Sequence, residues 1–561
     1  MYLNLRKKGG QTVSSQSARG LMGFLDTLSS NPNARQTVYA SAFIFFTALI
    51  LLPSMLGIFL KRESIGEVFT DPALMGRAQS AIVWSFTVAF LVSTLDLLAG
   101  LPLAWFIVRS GSRWVNVVDT LADIPFIIPT AALGFSSFLF WSSPGGISTL
   151  FGVEALIPPG VILVMLLHFA FSFPVIVRVI VGELLGYKET YEIAAKTLGA
   201  QPFTAVRTVT LPIIKPALVA AFLLAFGRSL SETGATLMVA GPVFENGPVF
   251  IKKAKDAGLE GPLVFVSFIL IVASVLIFAL IRFLGARLRL PTGRVSPFLE
   301  RGLSRTRSVA ARDGVTLLIF IIFVLAPSLF VSLPATYALL DGTFTEAVSG
   351  RGVWGGFWQS MLLSYGIGVV ATLINIVAGL PVAIMIARNK LGKTSTTLLD
   401  MLVNVPIMVP SVALGVSLSF FWNALGSLPE LWVLILSHTT ITYTYFVRAM
   451  AAAVEGVSAE MEETARTLGG RPLTVFRRIT LPLTKYSVFS GAVLVFTRSV
   501  DETGAAIAVS RQLKTAPVLL VDWVKGVVPV TASERALGVS FLVLTSFLSL
   551  LILRLVIRGK R

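Results

Sequence analysis

The chain has 561 residues, of which 55% are hydrophobic and only 13% are charged, and its mean hydropathy is +0.83. Soluble domains carry about 25% charged residues, so this composition excludes that class and predicts a membrane protein. The net charge of +17 could indicate a nucleic-acid partner, but the basic residues lie in short loops between apolar runs. That placement is typical of cytoplasmic anchoring, so we expect a lipid bilayer and no nucleic acid as partner. The chain has no cysteine, which excludes disulfides and thiol chemistry.

Twelve apolar runs approach or exceed the length of about 20 residues that a transmembrane helix needs. The predicted fold is therefore an all-α membrane protein. The runs cover residues 38–60, 81–107, 116–141, 160–183, 216–240 and 262–285, and then 313–334, 360–386, 396–422, 431–454, 486–509 and 533–557.

Polar segments divide these runs into two sets of six. Residues 1–37 form a polar N-terminal tail, and residues 287–312 form a basic linker with prolines and glycines. The first apolar run is too long for a cleaved signal peptide. We therefore predict two six-helix repeats, at residues 38–286 and 313–561.

The two sets are copies of one unit. A polar, basic segment occurs twice, 270 residues apart, as TLGAQPFTAVRTVTLPIIKPAL from Thr197 and as TLGGRPLTVFRRITLPLTKYSV from Thr467. The short motif Ala-Gly-Leu-Pro at 99–102 recurs at 378–381. Because six is an even number, both copies enter the membrane in the same orientation and form parallel repeats.

Lysine and arginine in short loops predict the orientation. Both termini, the linker and both copies of the repeated segment lie on the strongly basic side, which we assign to the cytoplasm. The protein is then a multi-pass protein of the cell membrane.

The repeated segments predict short helices outside the spans. In the first copy, residues 190–198 are good helix formers, and Gly199 supplies the left-handed residue that ends such a helix. Pro202 prevents the helix from continuing.

These segments resemble the EAA loop of binding-protein-dependent ABC importer permeases. The first copy has Ile193 where the family has Glu, and the second has Thr464 in place of the first Ala. The resemblance implies the fold of a type I ABC importer permease, with two permease domains fused in one chain. The residues it implies for coupling to an ATPase are Glu192, Ala194, Ala195, Gly199, Glu462, Glu463, Ala465 and Gly469.

The resemblance also implies partners. These are two copies of a cytoplasmic ABC ATPase subunit and an extracytoplasmic substrate-binding protein. ATP and magnesium would bind the ATPase, with no cofactor in this chain, because the best phosphate-loop candidate, residues 391–394, lacks the required first glycine. This chain would be a permease and not an enzyme.

Two segments within the spans carry charge, FGRSLSETGATLMVAG and FTRSVDETGAAIAVS. In each, an Arg and a Glu four residues later are expected to share one face of a continuous helix. They form either structural ion pairs or part of a gate between the halves. The candidate pathway residues are Arg228, Ser231, Glu232, Thr233, Arg498, Asp501, Glu502 and Thr503.

The only two histidines, His168 and His438, are also 270 residues apart. We expect each to be a buried, neutral side chain bonded to a neighbouring helix. Two histidines without cysteine leave little for a metal site, so none is predicted.

The substrate prediction rests on a second resemblance. Residues 231–241, SETGATLMVAG, are similar to a segment of permeases for molybdate, tungstate and sulfate, with Ser231 in place of a glycine. The fused layout is more familiar from ferric-iron and thiamine permeases, which remain the alternative. A secondary transporter driven by an ion gradient is the alternative of another class.

Overall fold

The computed structural model describes residues 21–287, 297–426 and 428–558, so residues 1–20 of the predicted tail and 288–296 of the predicted linker lie outside it. The described residues form helices and contain no β-strand. Helices of the first half are α1 (Leu21–Ser30), α2 (Pro32–Thr70), α3 (Pro72–Arg109), α4 (Val115–Ile127), α5 (Thr130–Ser142), α6 (Val161–Gly186), α7 (Thr190–Thr197), α8 (Pro202–Ser231), α9 (Gly234–Val239), α10 (Gly247–Asp256) and α11 (Glu260–Arg287).

The second half repeats this order. Its helices are α12 (Pro297–Leu303), α13 (Thr306–Leu340), α14 (Thr343–Ser349), α15 (Trp354–Ala387), α16 (Lys393–Met408), α17 (Ser411–Ala424), α18 (Glu430–Glu455), α19 (Ala459–Thr467), α20 (Pro472–Val500), α21 (Gly504–Val509), α22 (Ala516–Val524) and α23 (Ala532–Arg558). Within each half, α3 packs on α6 and α8, and α15 packs on α18 and α20.

Nine helices among the described residues are long and apolar enough to cross a membrane, or eleven if each bent pair is one span. The predicted span missing from these eleven is the one at 431–454, which corresponds to α18. It has the length of its counterpart α6 but carries a run of buried hydroxyl side chains, including Thr439, Thr440 and Thr442, which makes it less apolar. Twelve spans therefore stay a prediction.

The third predicted span of each half, at 116–141 and 396–422, is bent instead of straight. α4 and α5 meet at 107°, and α16 and α17 meet at 104°. Ile128 precedes Pro129 and Val409 precedes Pro410 at the two bends. Both residues are extended, because the ring of a following proline disfavours a helical conformation.

The first span of each half crosses to the other half. Ser417 of α17 donates a hydrogen bond to the Pro53 carbonyl of α2 (2.8 Å), and Ser136 of α5 donates to the Pro327 carbonyl of α13 (2.6 Å). These equivalent bonds join the halves around a pseudo-two-fold axis. The two repeats therefore form one interlocked body.

Candidate functional site

The helices that carry the charged segments break where a continuous helix was expected. α8 ends at Ser231, and the chain resumes as α9 at Gly234. α20 ends at Val500, and α21 begins at Gly504. The prediction of unbroken helices over 216–240 and 486–509 is therefore wrong.

The glutamate at each break caps the helix that follows. The Glu232 carboxylate accepts a hydrogen bond from the Ala235 amide, and the Glu502 carboxylate accepts one from the Ala505 amide, both at 3.1 Å. The first amides of a helix have no partner within it, so a buried carboxylate stabilises the restart. Sequence reasoning missed this role, although Glu-Thr-Gly before a helical run was the available signal.

The histidines hold the breaks in place. His168 is buried, and its ring nitrogens bond Ser229 of α8 and Thr236 of α9, both at 2.8 Å, so it joins the two sides of the first break. His438 bonds Ser499 at 3.0 Å. Both histidines fit the expectation of a buried side chain bonded to a neighbouring helix.

The second site lacks one of these bonds. Nε2 of His438 is buried without a hydrogen-bond partner. The position equivalent to Thr236 is Ala506, which has no hydroxyl group to offer. Each break is therefore held by a buried histidine, with two hydrogen bonds in the first repeat and one in the second.

The breaks of the two halves meet at the centre of the molecule. A Cβ added to Gly234 would lie 2.7 Å from Cγ2 of Thr503, and one added to Gly504 would lie 2.7 Å from Oγ1 of Thr233. Only glycine permits this approach, because any side chain would overlap the opposite threonine. We call residues 231–234 and 501–504 the central contact.

Hydrogen bonds between the halves flank the central contact. Asp501 accepts from the backbone amide of Thr130 at the start of α5 (2.6 Å). At the equivalent place, Ser411 of α17 donates to the Ser231 carbonyl (3.1 Å). The difference between Ser231 and Asp501 thus changes how the two bent spans are held.

A cavity of about 290 Å³ lies between the halves, next to the central contact. It is mostly apolar and takes its walls from α8 and α20 and from the turns at the two bends, with Tyr365 and Tyr445 at its sides. Arg228 and Arg498 both line it, together with Asp501. The cavity thus offers two guanidinium groups and one carboxylate.

The two arginines have different partners, which corrects the prediction of matched ion pairs. Arg498 lies 3.0 Å from the Glu502 carboxylate and 3.5 Å from Asp501. The described ion pairs include Arg498–Glu502 but no Arg228–Glu232 pair. Instead, the Arg228 guanidinium lies 5.6 Å from the ring centre of Phe171 and 6.0 Å from that of Phe126.

The repeated basic segments form matching short helices, α7 and α19, as predicted. Gly199 and Gly469 follow them with φ of 92° and 88°, which is left-handed backbone that favours glycine. We call residues 190–200 and 459–470 the cassettes.

The cassette glutamates one residue before the family's Glu position point inward. Glu192 is 4% and Glu462 is 8% exposed. Glu192 pairs with Lys196 (2.7 Å), and Glu462 accepts hydrogen bonds from Arg388 and Thr480 (both 2.9 Å). Burial opposes ionisation of Glu462, but these bonds and the charges of Arg388 and Arg466 hold the pKa of its carboxyl below the usual value. Both acids therefore fix the cassettes from within.

Large apolar side chains cover the outside of the cassettes. Leu198 is 89% exposed and Leu468 is 83% exposed, and Tyr191, Ile193 and Met461 are also exposed. Glu463 is exposed beside them. Exposed apolar side chains in this number are typical of a contact surface for another protein.

The short helix that precedes each half packs on the cassette side of the other half. Glu300 of α12 pairs with Arg207 (2.7 Å), and Ser304 accepts from the Phe203 amide (3.2 Å). At the other cassette, Ser29 of α1 accepts from the Leu473 amide (3.2 Å), and Asp26 accepts from Thr474. The predicted tail and linker thus contain equivalent helices that pack on the segments directly after the cassettes.

On the face opposite the cassettes, Lys255 of α10 joins the halves. Its amine donates to the carbonyls of Ile507, Ala508 and Ser510 at the end of α21, at 2.5 to 2.9 Å. Burial, reinforced by the charge of Lys252, lowers the pKa of the Lys255 amine to about 8. The central contact is therefore closed from this face as well.

Comparison with known proteins assigns this arrangement to a class. Residues 96–290 and 379–557 each match the model of the binding-protein-dependent transport system inner membrane component. The chain belongs to this family, and it is a permease that holds the family's domain twice.

Relatives with established names are single permeases that match less than half of this chain. The molybdenum transport system permease of Escherichia coli (strain K12) is 34% identical over 164 residues, covering 27% of this chain and 70% of the relative. The sulfate transport system permease of Salmonella typhimurium is 30% identical over 206 residues (36% and 73%). A probable sulfate transport system permease of Marchantia polymorpha is 26% identical over 251 residues (43% and 86%).

Proposed function

We propose that this permease carries a tetrahedral oxyanion, molybdate, tungstate or sulfate, between its two halves by alternating access. The observation that carries the proposal is the cavity with Arg228 and Arg498 in its wall. The named sulfate and molybdenum permeases among its relatives support the same substrate class.

The charges of the cavity favour an anion. Arg228 has no direct ion pair among the described residues and rests against two aromatic rings. Glu232 and Glu502 do not line the cavity, and each caps a helix. An ionised group within a span is costly, so an unpaired arginine there is the group that a bound oxyanion would stabilise.

The cassettes would couple the permease to ATP hydrolysis. We infer that two ABC ATPase subunits, which bind ATP and magnesium, hold the exposed Leu198 and Leu468. Each cassette is hydrogen-bonded to the first part of the helix that carries the cavity arginine. Glu192 accepts a hydrogen bond from Thr210 of α8, and Glu462 accepts one from Thr480 of α20. Movement of a cassette would therefore move α8 or α20.

Direction follows from the predicted orientation. With both termini and the cassettes in the cytoplasm, the cavity opens from the central contact toward the cytoplasm. An extracytoplasmic binding protein would then deliver substrate at the face that Lys255 closes.

The test is uptake of labelled molybdate, tungstate, sulfate, ferric iron and thiamine into vesicles that hold the complete complex with its binding protein. We expect ATP-dependent uptake of an oxyanion, and a loss of at least tenfold in Arg228→Gln at equal protein level. Uptake of iron or thiamine without any oxyanion would contradict the proposal. Uptake driven by an ion gradient without ATP would indicate a secondary transporter instead.

A further inference from the structure

A second cavity, of about 430 Å³, lies beside the second cassette, away from the central contact. Its walls come from α1, the start of α2, the end of α15 and the cassette with the segment that follows it. We call it the lateral cavity. It lies where the spans α2 and α15 approach the cassette side.

The lateral cavity carries an excess of positive charge. Four cations line it, Arg35, Arg388, Lys390 and Arg466, against the single carboxylate of Glu462. That carboxylate is already engaged by Arg388 (2.9 Å) and Arg466 (3.6 Å). Neither Arg35 nor Lys390 forms an ion pair within the described parts of the chain.

The cations disfavour one another while no anion is present. Burial, reinforced by the charges of Arg466 and Arg35, lowers the pKa of the Lys390 amine below its ordinary value. An anion placed between these groups would remove this repulsion and leave Glu462 in its present bonds.

The rest of the lining is apolar. Leu28 and Val38 on one side face Leu380, Ile384 and Phe476 on the other. Leu28 and Val38 are 45% and 53% exposed, so this apolar side is accessible at the end of the spans. One cavity therefore combines a cationic end with an apolar slot, which suits a ligand with an anionic head and a hydrocarbon chain.

The first repeat does not reproduce this combination. The Ala-Gly-Leu-Pro motifs at 99–102 and 378–381 are 279 residues apart (378 − 99), and by this spacing Ile384 corresponds to Trp105 and Lys390 to Gly111. Trp105 and Tyr187 place their ring centres 5.8 Å and 5.9 Å from the guanidinium of Arg109, the counterpart of Arg388. Aromatic rings thus lie around the arginine in the first repeat, where the second repeat has a cavity.

We propose that the lateral cavity binds an anionic phospholipid, with its phosphate among Arg35, Lys390 and Arg466 and one acyl chain in the slot between α2 and α15. Basic pockets at the cytoplasmic ends of membrane helices suit such headgroups. The lipid would join α1 and α2 to the second cassette alone. This lipid site is separate from the proposed transport function, and it can be tested without measuring transport.

The experiment measures lipid binding to the purified full chain by native mass spectrometry. The probes are palmitoyl-oleoyl phosphatidylglycerol, the matching phosphatidylcholine and inorganic phosphate. We expect phosphatidylglycerol to bind at least tenfold more tightly than phosphatidylcholine. The double variant Arg35→Gln/Lys390→Gln should lower phosphatidylglycerol affinity about 25-fold, because each basic residue contributes about fivefold near an anionic lipid.

Two further variants distinguish lipid binding in the lateral cavity from general attraction to basic residues at the surface. Arg113→Gln/Lys188→Gln removes the same charge from exposed positions on the first repeat and should change affinity less than twofold. Ile384→Trp copies the first repeat, fills the slot and should lower phosphatidylglycerol affinity at least tenfold with all cations retained. Equal losses in the Arg113/Lys188 control, equal binding of both lipids, or displacement of phosphatidylglycerol by an equal concentration of inorganic phosphate would each overturn the proposal. So would unchanged lipid affinity in Ile384→Trp.

Discussion

Arg228 and Arg498 occupy equivalent positions in the repeats, yet their surroundings differ. Arg498 has two carboxylates within 3.5 Å, whereas Arg228 lies against the rings of Phe171 and Phe126. A pair of buried charges stabilises little in total, but removing one member leaves the other without compensation. The two arginines should therefore respond differently to the same substitutions.

A double-mutant cycle tests this difference. Arg498→Met and Glu502→Gln should show a coupling energy of about 1–3 kcal/mol in the free energy of unfolding in detergent, because the side chains interact directly. The same cycle on Arg228 and Glu232 is the matched control and should give a clearly smaller coupling energy, because no ion pair joins these two side chains among the described residues. Equal coupling energies in the two cycles would contradict the geometry.

A second prediction concerns the hydrogen bond to Nε2 of the histidine, which is present at His168 and absent at His438. Thr236→Ala removes the partner of His168 Nε2 and should lower the free energy of unfolding by about 1–2 kcal/mol. Ala506→Thr offers the missing partner to His438 and should raise it by about 0.5–1 kcal/mol. Thermal unfolding of both variants checks the pair, and destabilisation by Ala506→Thr comparable to that by Thr236→Ala would show that the two sites are not equivalent.

At the scale of elements, each cassette is a short helix stopped by a left-handed glycine and held from within by a buried glutamate. The pattern of burial from Tyr191 to Ala200 is the same as that from Met461 to Gly470. The repeated sequence therefore specifies a repeated surface. Leu198 and Leu468 are the most exposed of its large hydrophobic side chains.

Replacing Gly199 and Gly469 together with Val tests the cassettes. A β-branched residue at this φ costs about 1–2 kcal/mol, so both helix ends should shift and substrate-stimulated ATP hydrolysis by the complex should fall several-fold. Each single variant should lose less, because one intact cassette still binds its ATPase. Gly258→Val is the control, since Gly258 also has a positive φ (70°) but lies at the other face. Normal stimulation in the double variant would refute the coupling role.

Most elements of this fold could be predicted from the sequence, because apolar length and repeat spacing are local signals. The bends were signalled by the prolines at 125, 129, 406 and 410, although a straight span was predicted. The break at Glu232 was missed because Ser-Glu-Thr is compatible with a helix, and the contacts that favour an interruption come from His168 and Thr503, which are distant in the sequence. The packing of α12 and α1 beside the cassettes joins residues 101 and 444 positions apart, and no local pattern encodes such contacts.

At the scale of the whole molecule, equivalent elements exchange places between the halves. α2 packs on α17 and α13 on α5, while α1 and α12 pack beside the cassettes of the opposite halves. The halves are therefore held together around their periphery, and the central contact lies between them. A path for substrate through the centre requires that residues 231–234 and 501–504 separate while these outer contacts persist.

The most direct measurement of this claim uses the absence of cysteine from the chain. Thr233→Cys and Thr503→Cys place one thiol on each side of the central contact, to be joined by a short methanethiosulfonate cross-linker in vesicles that hold the complete complex. We predict that the linked protein loses substrate uptake almost completely and regains it when a reductant cleaves the linker, while each single variant treated with the same reagent keeps its uptake. Undiminished uptake through the linked protein would show that the substrate does not pass between the two halves.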